Sequence, residues 1–380
     1  MLCVSKKKTE TMECYVCDIK ITDENETDEH IIINAAGGRL KSKKLICSKC
    51  NSDFGENIDS ILAKQLNILS NMLMVKRHRG EPQPIVGEKQ STGEKYKLEV
   101  GGKPKLTKPT IDKTVDGNKT NISITARSEK ELRKILTGLA KKNPNFDVEE
   151  AMKSAQWREE HFDEALCFQN VIGGNEVFRA ICKCATNFFI YNKGEASQIN
   201  HLIPYIKGEE DKEVVWMHYQ DDLYELNPDE SSHILHLVGN REQRILYCYV
   251  DYFNTYKYLV LLNDNYNGLD IKRTYFFDLI NVTPIEREVT LEYDKTTLLN
   301  FFTNKDVEPF KKVKESFDHS IALGLKRQDE QQRGKLLERA IQNSLGKYPD
   351  GVPITKEMIK ETVDEIMKNI TPHLLKRMKK

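Results

Sequence analysis

The chain has 380 residues, of which 39% are hydrophobic and 31% are charged, and its mean hydropathy is -0.58. A chain of this length predicts two or three domains, and this composition excludes both a disordered protein and a membrane protein. The 58 basic residues balance the 58 acidic ones, which excludes a protein that holds nucleic acid by net charge alone.

The first predicted elements lie between residues 11 and 80. Two Cys-x-x-Cys pairs, Cys14/Cys17 and Cys47/Cys50, enclose a short apolar run. Behind the second pair, apolar residues recur at spacings of three and four, which predicts an amphipathic helix that ends near Arg77. These apolar residues are Ile58, Leu62, Leu66, Leu69 and Leu73.

The middle of the chain predicts a connector followed by two helices. Residues 81–126 are rich in Gly, Pro and Lys, which is typical of an exposed connector with short strands. Ser128 and Glu131 form a capping box that predicts a helix from about residue 129 to about residue 142. Apolar periodicity predicts a further helix from Asn175 to about Tyr191.

The C-terminal half predicts a mostly antiparallel sheet and then helices. The sheet is indicated by β-branched and aromatic runs that turn residues separate. These runs are Val214–Tyr219, His233–Val238, Ile245–Asp251, Tyr258–Leu262 and Thr274–Phe277. From Lys295 onwards the pattern is helical and charged. The predicted fold class is α+β, and the predicted divisions of the chain are residues 1–80, 81–126, 127–295 and 296–380.

The two cysteine pairs predict a zinc site. No secretory signal and no apolar run near the roughly 18 residues of a membrane helix are found, so a cytoplasmic protein is expected. Thiols stay reduced in that compartment, which favours metal binding over disulfides. Each Cys-x-x-Cys turn presents two sulfurs to one ion, and a closed shell of four leaves no position for water. We therefore expect Cys14, Cys17, Cys47 and Cys50 to hold a structural zinc ion.

Between the pairs the sequence reads Glu-His-Ile-Ile from Glu29, followed by Gly37-Gly38, and the second pair runs directly into Asn51. In this order and spacing the motifs resemble the HNH endonucleases, which are zinc-stapled ββα-metal nucleases. The resemblance covers about 65 residues, from Cys14 to roughly His78. It implies a small nuclease domain at the N-terminus, ahead of the larger α+β region and the helical C-terminus that the residue patterns predict.

The resemblance also implies roles for individual residues. His30 matches the general base that takes a proton from the attacking water. Glu29 matches the acidic ligand of a catalytic magnesium or manganese ion, and Asn51 matches its second protein ligand. The asparagine that orients the histidine in the family is replaced here by Ser42, so serine or a backbone carbonyl is expected to do the orienting.

Basic residues cluster beside this predicted site and could neutralise backbone phosphates or form a solvated loop. They are Arg39, Lys41, Lys43, Lys44 and Lys49.

The predicted function is therefore metal-dependent hydrolysis of nucleic acid, with DNA favoured over RNA, in a prokaryotic defence or restriction role by family analogy. The expected assembly is a homodimer or a subunit of a defence complex. Two alternatives stay open. The chain could be a zinc-dependent binding module without catalysis, or a nuclease subunit that is active only within a larger complex.

Overall fold

The computed structural model describes residues 12–116, 119–143, 146–156, 166–305, 309–349 and 351–378. The chain divides into two compact units. The N-terminal unit contains residues 1–71, 76–180 and 204–210, and the C-terminal unit contains residues 72–75, 181–203 and 211–380. The division into four parts that the sequence suggested stays a prediction.

The N-terminal unit begins with a two-stranded hairpin followed by a long helix. Its first elements are β1 (Glu29–His30), β2 (Lys41–Ser42), α1 (Ser48–Phe54) and α2 (Ser60–Met72). A π-helical turn, Gly55–Asp59, joins α1 to α2. The predicted helix is thus present, and the second cysteine pair lies at its start. Its predicted apolar face is buried, from Ile58 to Leu73.

The helix ends at Met72, before the predicted end near Arg77. Met74 adopts a left-handed backbone with φ 54°. An L-residue in this conformation cannot continue a right-handed helix. The prediction of the helix end was therefore wrong, and residues 76–79 lie in a loop.

The rest of the N-terminal unit contains short antiparallel sheets and two helices. Its elements are β3 (Ile85–Lys89), β4 (Lys95–Glu99), β5 (Lys103–Leu106), β6 (Thr110–Asp116), β7 (Lys119–Thr125), α3 (Glu129–Ala140), α4 (Val148–Lys153) and β8 (Leu166–Cys167). One sheet has the order β5-β4-β3-β8, and β6 pairs with β7. The Ser128 hydroxyl accepts the Glu131 N–H at 3.2 Å, so the predicted cap of α3 is confirmed.

The remaining elements build a six-stranded sheet and the helices around it. They are α5 (Asn175–Tyr191), α6 (Ile203–Lys207), β9 (Val215–Met217), β10 (Ser232–Asn240), β11 (Ile245–Tyr252), β12 (Tyr256–Asn263), β13 (Ile271–Asp278), β14 (Thr283–Pro284), α7 (Lys295–Thr303), α8 (Pro309–Leu345) and α9 (Lys356–Met378). The strand order is β14-β13-β10-β11-β12-β9, with antiparallel neighbours throughout. The predicted α+β class with an antiparallel sheet and a helical C-terminus is confirmed.

The sheet is covered on both faces. All eight residues of β11 are buried, although successive side chains of a strand point to opposite faces. On one face Tyr247 and Tyr249 join an apolar cluster that contains Leu298 and Phe302 of α7. The tyrosines of β11 therefore belong to the core of the C-terminal unit. Within the described ranges, every helix is too short or too polar to cross a lipid bilayer.

Asp251 is a fully buried carboxyl near the end of β11. Its Oδ2 accepts hydrogen bonds from the Tyr224 hydroxyl at 2.6 Å and from the Tyr249 hydroxyl at 3.2 Å. Its Oδ1 is buried and has no hydrogen-bond partner among the described residues. Burial raises the pKa of Asp251 to about 6, although the nearby charge of Lys257 acts in the opposite direction. The fold therefore favours the protonated acid.

Replacing Asp251 by asparagine is expected to remove a pH-dependent cost of folding. Because the folded pKa of about 6 exceeds the ordinary 3.8, Asp251 lowers stability progressively as pH rises between these values, and the full cost remains above them. The free energy of unfolding of Asp251→Asn minus that of wild type should increase by about 1–3 kcal/mol between about pH 4 and about pH 7.

Urea denaturation followed by fluorescence at both pH values measures this difference. The control is Asp364→Asn, since Asp364 is exposed on α9, and it should follow wild type at both pH values. If the free energy of unfolding of Asp251→Asn minus that of wild type is the same at both pH values, burial does not bias the protonation of Asp251.

Candidate active site

The four predicted metal ligands come together in the structure. Cys14 and Cys17 occupy a tight turn in which the Cys14 carbonyl accepts the Asp18 N–H at 2.8 Å. Cys47 caps the start of α1, and Cys50 lies in its first turn. The Tyr15 N–H donates to the Leu45 carbonyl at 3.3 Å, which links the two cysteine segments.

The geometry of this cysteine quartet fits a tetrahedral ion. The four Sγ atoms all lie within 4.8 Å of one another, and the Cys17 and Cys47 sulfurs are 3.8 Å apart. Zinc–sulfur bonds of about 2.3 Å at tetrahedral angles require sulfur separations of about 3.8 Å. Among the described residues, no other group of three or more His, Cys, Asp or Glu side chains could hold a metal ion. The predicted metal cluster is thus confirmed, and its ligands suit zinc.

The hairpin places Glu29 and His30 next to the helix that carries Asn51. Glu29 pairs with Ser42, and His30 pairs with Lys41. The pairing continues beyond the strands, since the Ile31 N–H donates to the Leu40 carbonyl at 3.0 Å. The elements follow one another as strand, strand and helix, which is the order that the resemblance implied.

The glycine pair shapes the connection between the two strands. A short 3-10 helix, Asn34–Ala36, ends at Gly37, whose φ of 89° is left-handed. At Gly38 a Cβ atom would overlap the carbonyl group of Ile32. Gly37 is therefore required by backbone conformation, and Gly38 by a close approach of two backbone segments.

Gly38→Ala is expected to destabilise the hairpin by about 2–4 kcal/mol, because the backbone of Ile32 must move to admit the methyl group. Hydrogen exchange of peptides that cover residues 29–42 measures the effect. Gly55→Ala is the matched control, since a Cβ at this helical position meets nothing within 4 Å and should stabilise by about 0.5–1 kcal/mol. Equal protection of the hairpin in Gly38→Ala and wild type would contradict this expectation.

His30 has the electrostatic properties of a proton acceptor. Burial lowers the pKa of His30, and the positive charges of Lys41 and His78 lower it further. The imidazole is therefore neutral near pH 7 and can take up a proton. Its Nε2 atom is buried and has no hydrogen-bond partner among the described residues.

Ser42, the residue at the place of the family's orienting asparagine, makes a local contact. Its hydroxyl accepts the Lys44 N–H at 3.1 Å. On the strand it lies opposite Glu29, whereas His30 lies opposite Lys41. The role of Ser42 in orienting His30 stays a prediction.

The two predicted ligands of the catalytic ion sit on different elements. Glu29 is almost fully buried on β1, with 2% of its surface exposed. Asn51 on α1 donates from Nδ2 to the Thr27 hydroxyl at 2.8 Å. Its amide oxygen therefore points away from Thr27. Carboxylate and amide oxygens are hard donors that suit magnesium or manganese.

The predicted nucleic-acid-binding residues differ in their contacts. Lys41 forms an ion pair with Asp28 at 2.6 Å, and Lys43 forms one with Glu26. The Lys41 hydrogen bond lowers the pKa of Asp28, so this carboxylate stays charged. Each of the two lysines is therefore partly neutralised within the hairpin.

The other three predicted nucleic-acid-binding residues are Arg39, Lys44 and Lys49. The Arg39 guanidinium donates to the Lys76 carbonyl at 2.9 Å. Lys44 and Lys49 are exposed to solvent. Binding of nucleic acid by these residues stays a prediction.

One residue beside His30 was missed by the sequence reasoning. The rings of His78 and His30 approach edge to face, with their centroids 6.1 Å apart. The available signal was the basic run from Lys76 to Arg79, which begins within the predicted helix and continues beyond its predicted end near Arg77. The link between His30 and His78 depends on the tertiary fold, so periodicity alone could not find it.

The comparisons agree with this local arrangement. Residues 14–67 match a protein family described as HNH endonuclease. The matched segment begins at the first cysteine of the quartet and includes Glu29, His30 and Asn51. The match confirms the resemblance for the N-terminal part of the chain and supports nuclease activity in general. No curated protein and no solved structure matches the chain.

Proposed function

We propose that the chain is a metal-dependent HNH endonuclease that hydrolyses phosphodiester bonds, preferably in DNA, and we take the family match of residues 14–67 as the premise. The observation that carries the proposal is the placement of a neutral His30 on the hairpin, within this matched segment and ahead of the helix that bears Asn51. That placement supports phosphodiester hydrolysis with His30 as the base.

The proposed roles follow from the chemistry of each group. His30 accepts a proton from a water molecule while the water oxygen forms a bond to phosphorus. The bond from phosphorus to the 3' oxygen breaks, and this oxygen takes a proton from solvent, so the products carry 5'-phosphates. Glu29 and Asn51 would hold a magnesium or manganese ion, which would supply stabilisation of negative charge on the phosphate. Zinc in the cysteine quartet would fix the start of α1 relative to the turn that carries Cys14 and Cys17.

Cleavage of supercoiled plasmid by the purified full chain tests this proposal. With magnesium or manganese, nicked or linear DNA with 5'-phosphate ends is expected, and a chelator should abolish the reaction. An RNA of the same sequence, tested in parallel, reveals which nucleic acid is preferred. If neither DNA nor RNA is cut with either metal, the proposal fails for the isolated chain.

A second candidate is a zinc-dependent nucleic-acid-binding module without catalysis. It is favoured by the buried, unpartnered Nε2 of His30 in the described structure and by the Ser42 hydroxyl bonding to Lys44 instead. Without a hydrogen bond at Nε2 among the described residues, the ring of His30 is less well fixed, and a less well positioned base is a weaker one. Binding of DNA that is identical with and without magnesium, together with no cleavage, would support this candidate over the nuclease.

The proposed biological role is prokaryotic defence in the cytoplasm, on family analogy alone. The active assembly is a homodimer, since one active centre per chain cuts one strand at a time, or a subunit of a defence complex. Phage plating on cells that produce wild type or His30→Ala tests the role. Equal plaque numbers on both strains would contradict it.

A further inference from the structure

Residues 76–79, here named the basic arm, read Lys-Arg-His-Arg and follow directly after the helix and its turn. The basic arm reaches His30 through the edge-to-face contact of His78. The charges of His78 and Arg79 both act on His30 and lower its pKa. The basic arm is far from His30 in the sequence, but the fold places its positive charge beside this proposed base.

The backbone of the basic arm is fixed to the loop of the hairpin. The side chain of Asn34 accepts the His78 N–H at 2.9 Å and donates to the Arg79 carbonyl at 3.1 Å. The Arg39 guanidinium donates to the Lys76 carbonyl at 2.9 Å. These three hydrogen bonds use backbone groups of the arm, so they leave its charged side-chain ends available.

Three of the four side chains point to solvent. Lys76, His78 and Arg79 are exposed, and none of them forms an ion pair within the part of the chain that is described. Arg77 differs because it is half-buried and donates to the Glu81 carbonyl at 3.0 Å and to Asn67 Oδ1 at 3.3 Å. Arg77 thus anchors the arm, while Lys76 and Arg79 present positive charge to solvent.

The arm contrasts with the lysines of the hairpin itself. Lys41 and Lys43 already have carboxylate partners in Asp28 and Glu26, and a phosphate would have to displace them. An exposed cation without such a partner can bind a phosphate with less competition. Lys76 and Arg79 of the arm are therefore better placed than Lys41 and Lys43 to bind a phosphate.

We propose that the basic arm binds the DNA backbone next to the phosphate at which His30 activates the attacking water, with Lys76 and Arg79 as the phosphate-binding side chains. This inference rests on the proposed function, because it assigns substrate contacts of the same site. Phosphate contacts fix the position of the duplex and carry no sequence information of their own. The basic arm therefore strengthens binding and fixes the position of the duplex on the protein, whatever the base sequence of the DNA.

Binding of a short DNA duplex to the full chain, measured by fluorescence anisotropy in a chelator across a salt series, tests the proposal without cleavage. The double variant Lys76→Gln/Arg79→Gln should bind about tenfold more weakly at low salt, and its salt slope should fall by about two, one for each lost contact. The matched control is Lys130→Gln/Lys134→Gln, which removes the same charge from exposed positions of α3. The control should bind as wild type does.

A second variant separates placement from charge. Asn34→Ala keeps every basic residue but removes the two hydrogen bonds that hold His78 and Arg79. It should weaken binding while net charge stays constant. Affinities of Asn34→Ala and of the double variant that equal wild type would overturn the proposal, as would a wild-type chain that binds no duplex.

The outcomes also distinguish this proposal from the proposed function. If wild type cleaves DNA but the double variant binds and cleaves equally well, the nuclease stands and the arm proposal falls. If wild type binds DNA through the arm but cuts neither DNA nor RNA, the arm proposal stands and the nuclease falls.

Discussion

Replacing His30 by alanine is expected to lower the rate of DNA cleavage by about 10²- to 10⁴-fold, the usual contribution of a positioned general base. The neutral imidazole is lost, and the ring of His78, which packs edge to face against His30, is the neighbouring imidazole that remains. Binding of duplex DNA in a chelator should stay close to wild type, because the proposed phosphate contacts are made by other residues.

Single-turnover cleavage of a labelled duplex with saturating enzyme measures this rate directly. His319→Ala is the control, since His319 is exposed on α8 in the C-terminal unit. A His30→Ala chain that retains more than about a tenth of the wild-type rate would remove His30 from the role of base. His78→Ala in the same assay shows whether the neighbouring ring substitutes for it.

Cys50→Ser is expected to abolish both zinc binding and the structure of the nuclease segment. Structural zinc contributes about 10–16 kcal/mol in isolated zinc-finger peptides, which is comparable to or larger than the whole stability of a typical domain at about 5–15 kcal/mol. β1 and β2 contain only two residues each, so the hairpin has little hydrogen bonding of its own to resist unfolding. Cleavage activity should be lost together with the fold.

Elemental analysis and limited proteolysis measure the two effects. Wild type should contain about one zinc per chain, and cleavage by protease should appear between the cysteine pairs only in Cys50→Ser. Cys167→Ser is the control, since Cys167 is exposed and lies outside the quartet. Less than about 0.5 zinc per chain in wild type would contradict the assignment of zinc.

The cysteine quartet and the helices could be predicted because their signals are local. The Cys-x-x-Cys spacing defines a turn by itself, and the apolar period from Ile58 to Leu73 defines a buried face. The end of the helix was missed because the left-handed backbone of Met74 leaves no mark in the apolar pattern. Propensity does not forbid a methionine from continuing a helix.

The order of the strands in the C-terminal sheet could not be predicted from the alternation of apolar and polar residues along each strand. Strand β13 lies between β14 and β10, and β9 pairs with β12 across a long stretch of sequence. Individual strands were recognisable from their residues, whereas their order depends on pairing between strands that are distant in sequence. The basic arm was hidden for a similar reason, since Asn34 and His78 are 44 positions apart.

The immediate succession of Cys50 and Asn51 has a consequence for the maturation of the protein. The last sulfur of the quartet and the proposed oxygen ligand are neighbours on one helical turn, where the Asn51 N–H also donates to the Cys47 carbonyl at 3.0 Å. With zinc in the quartet, as proposed, a newly made chain that has not yet acquired the ion is expected to carry the proposed site residues without their arrangement. Under the proposed function, a metal-loading step separates synthesis from activity, and a cell short of zinc is expected to accumulate an inactive form of this protein.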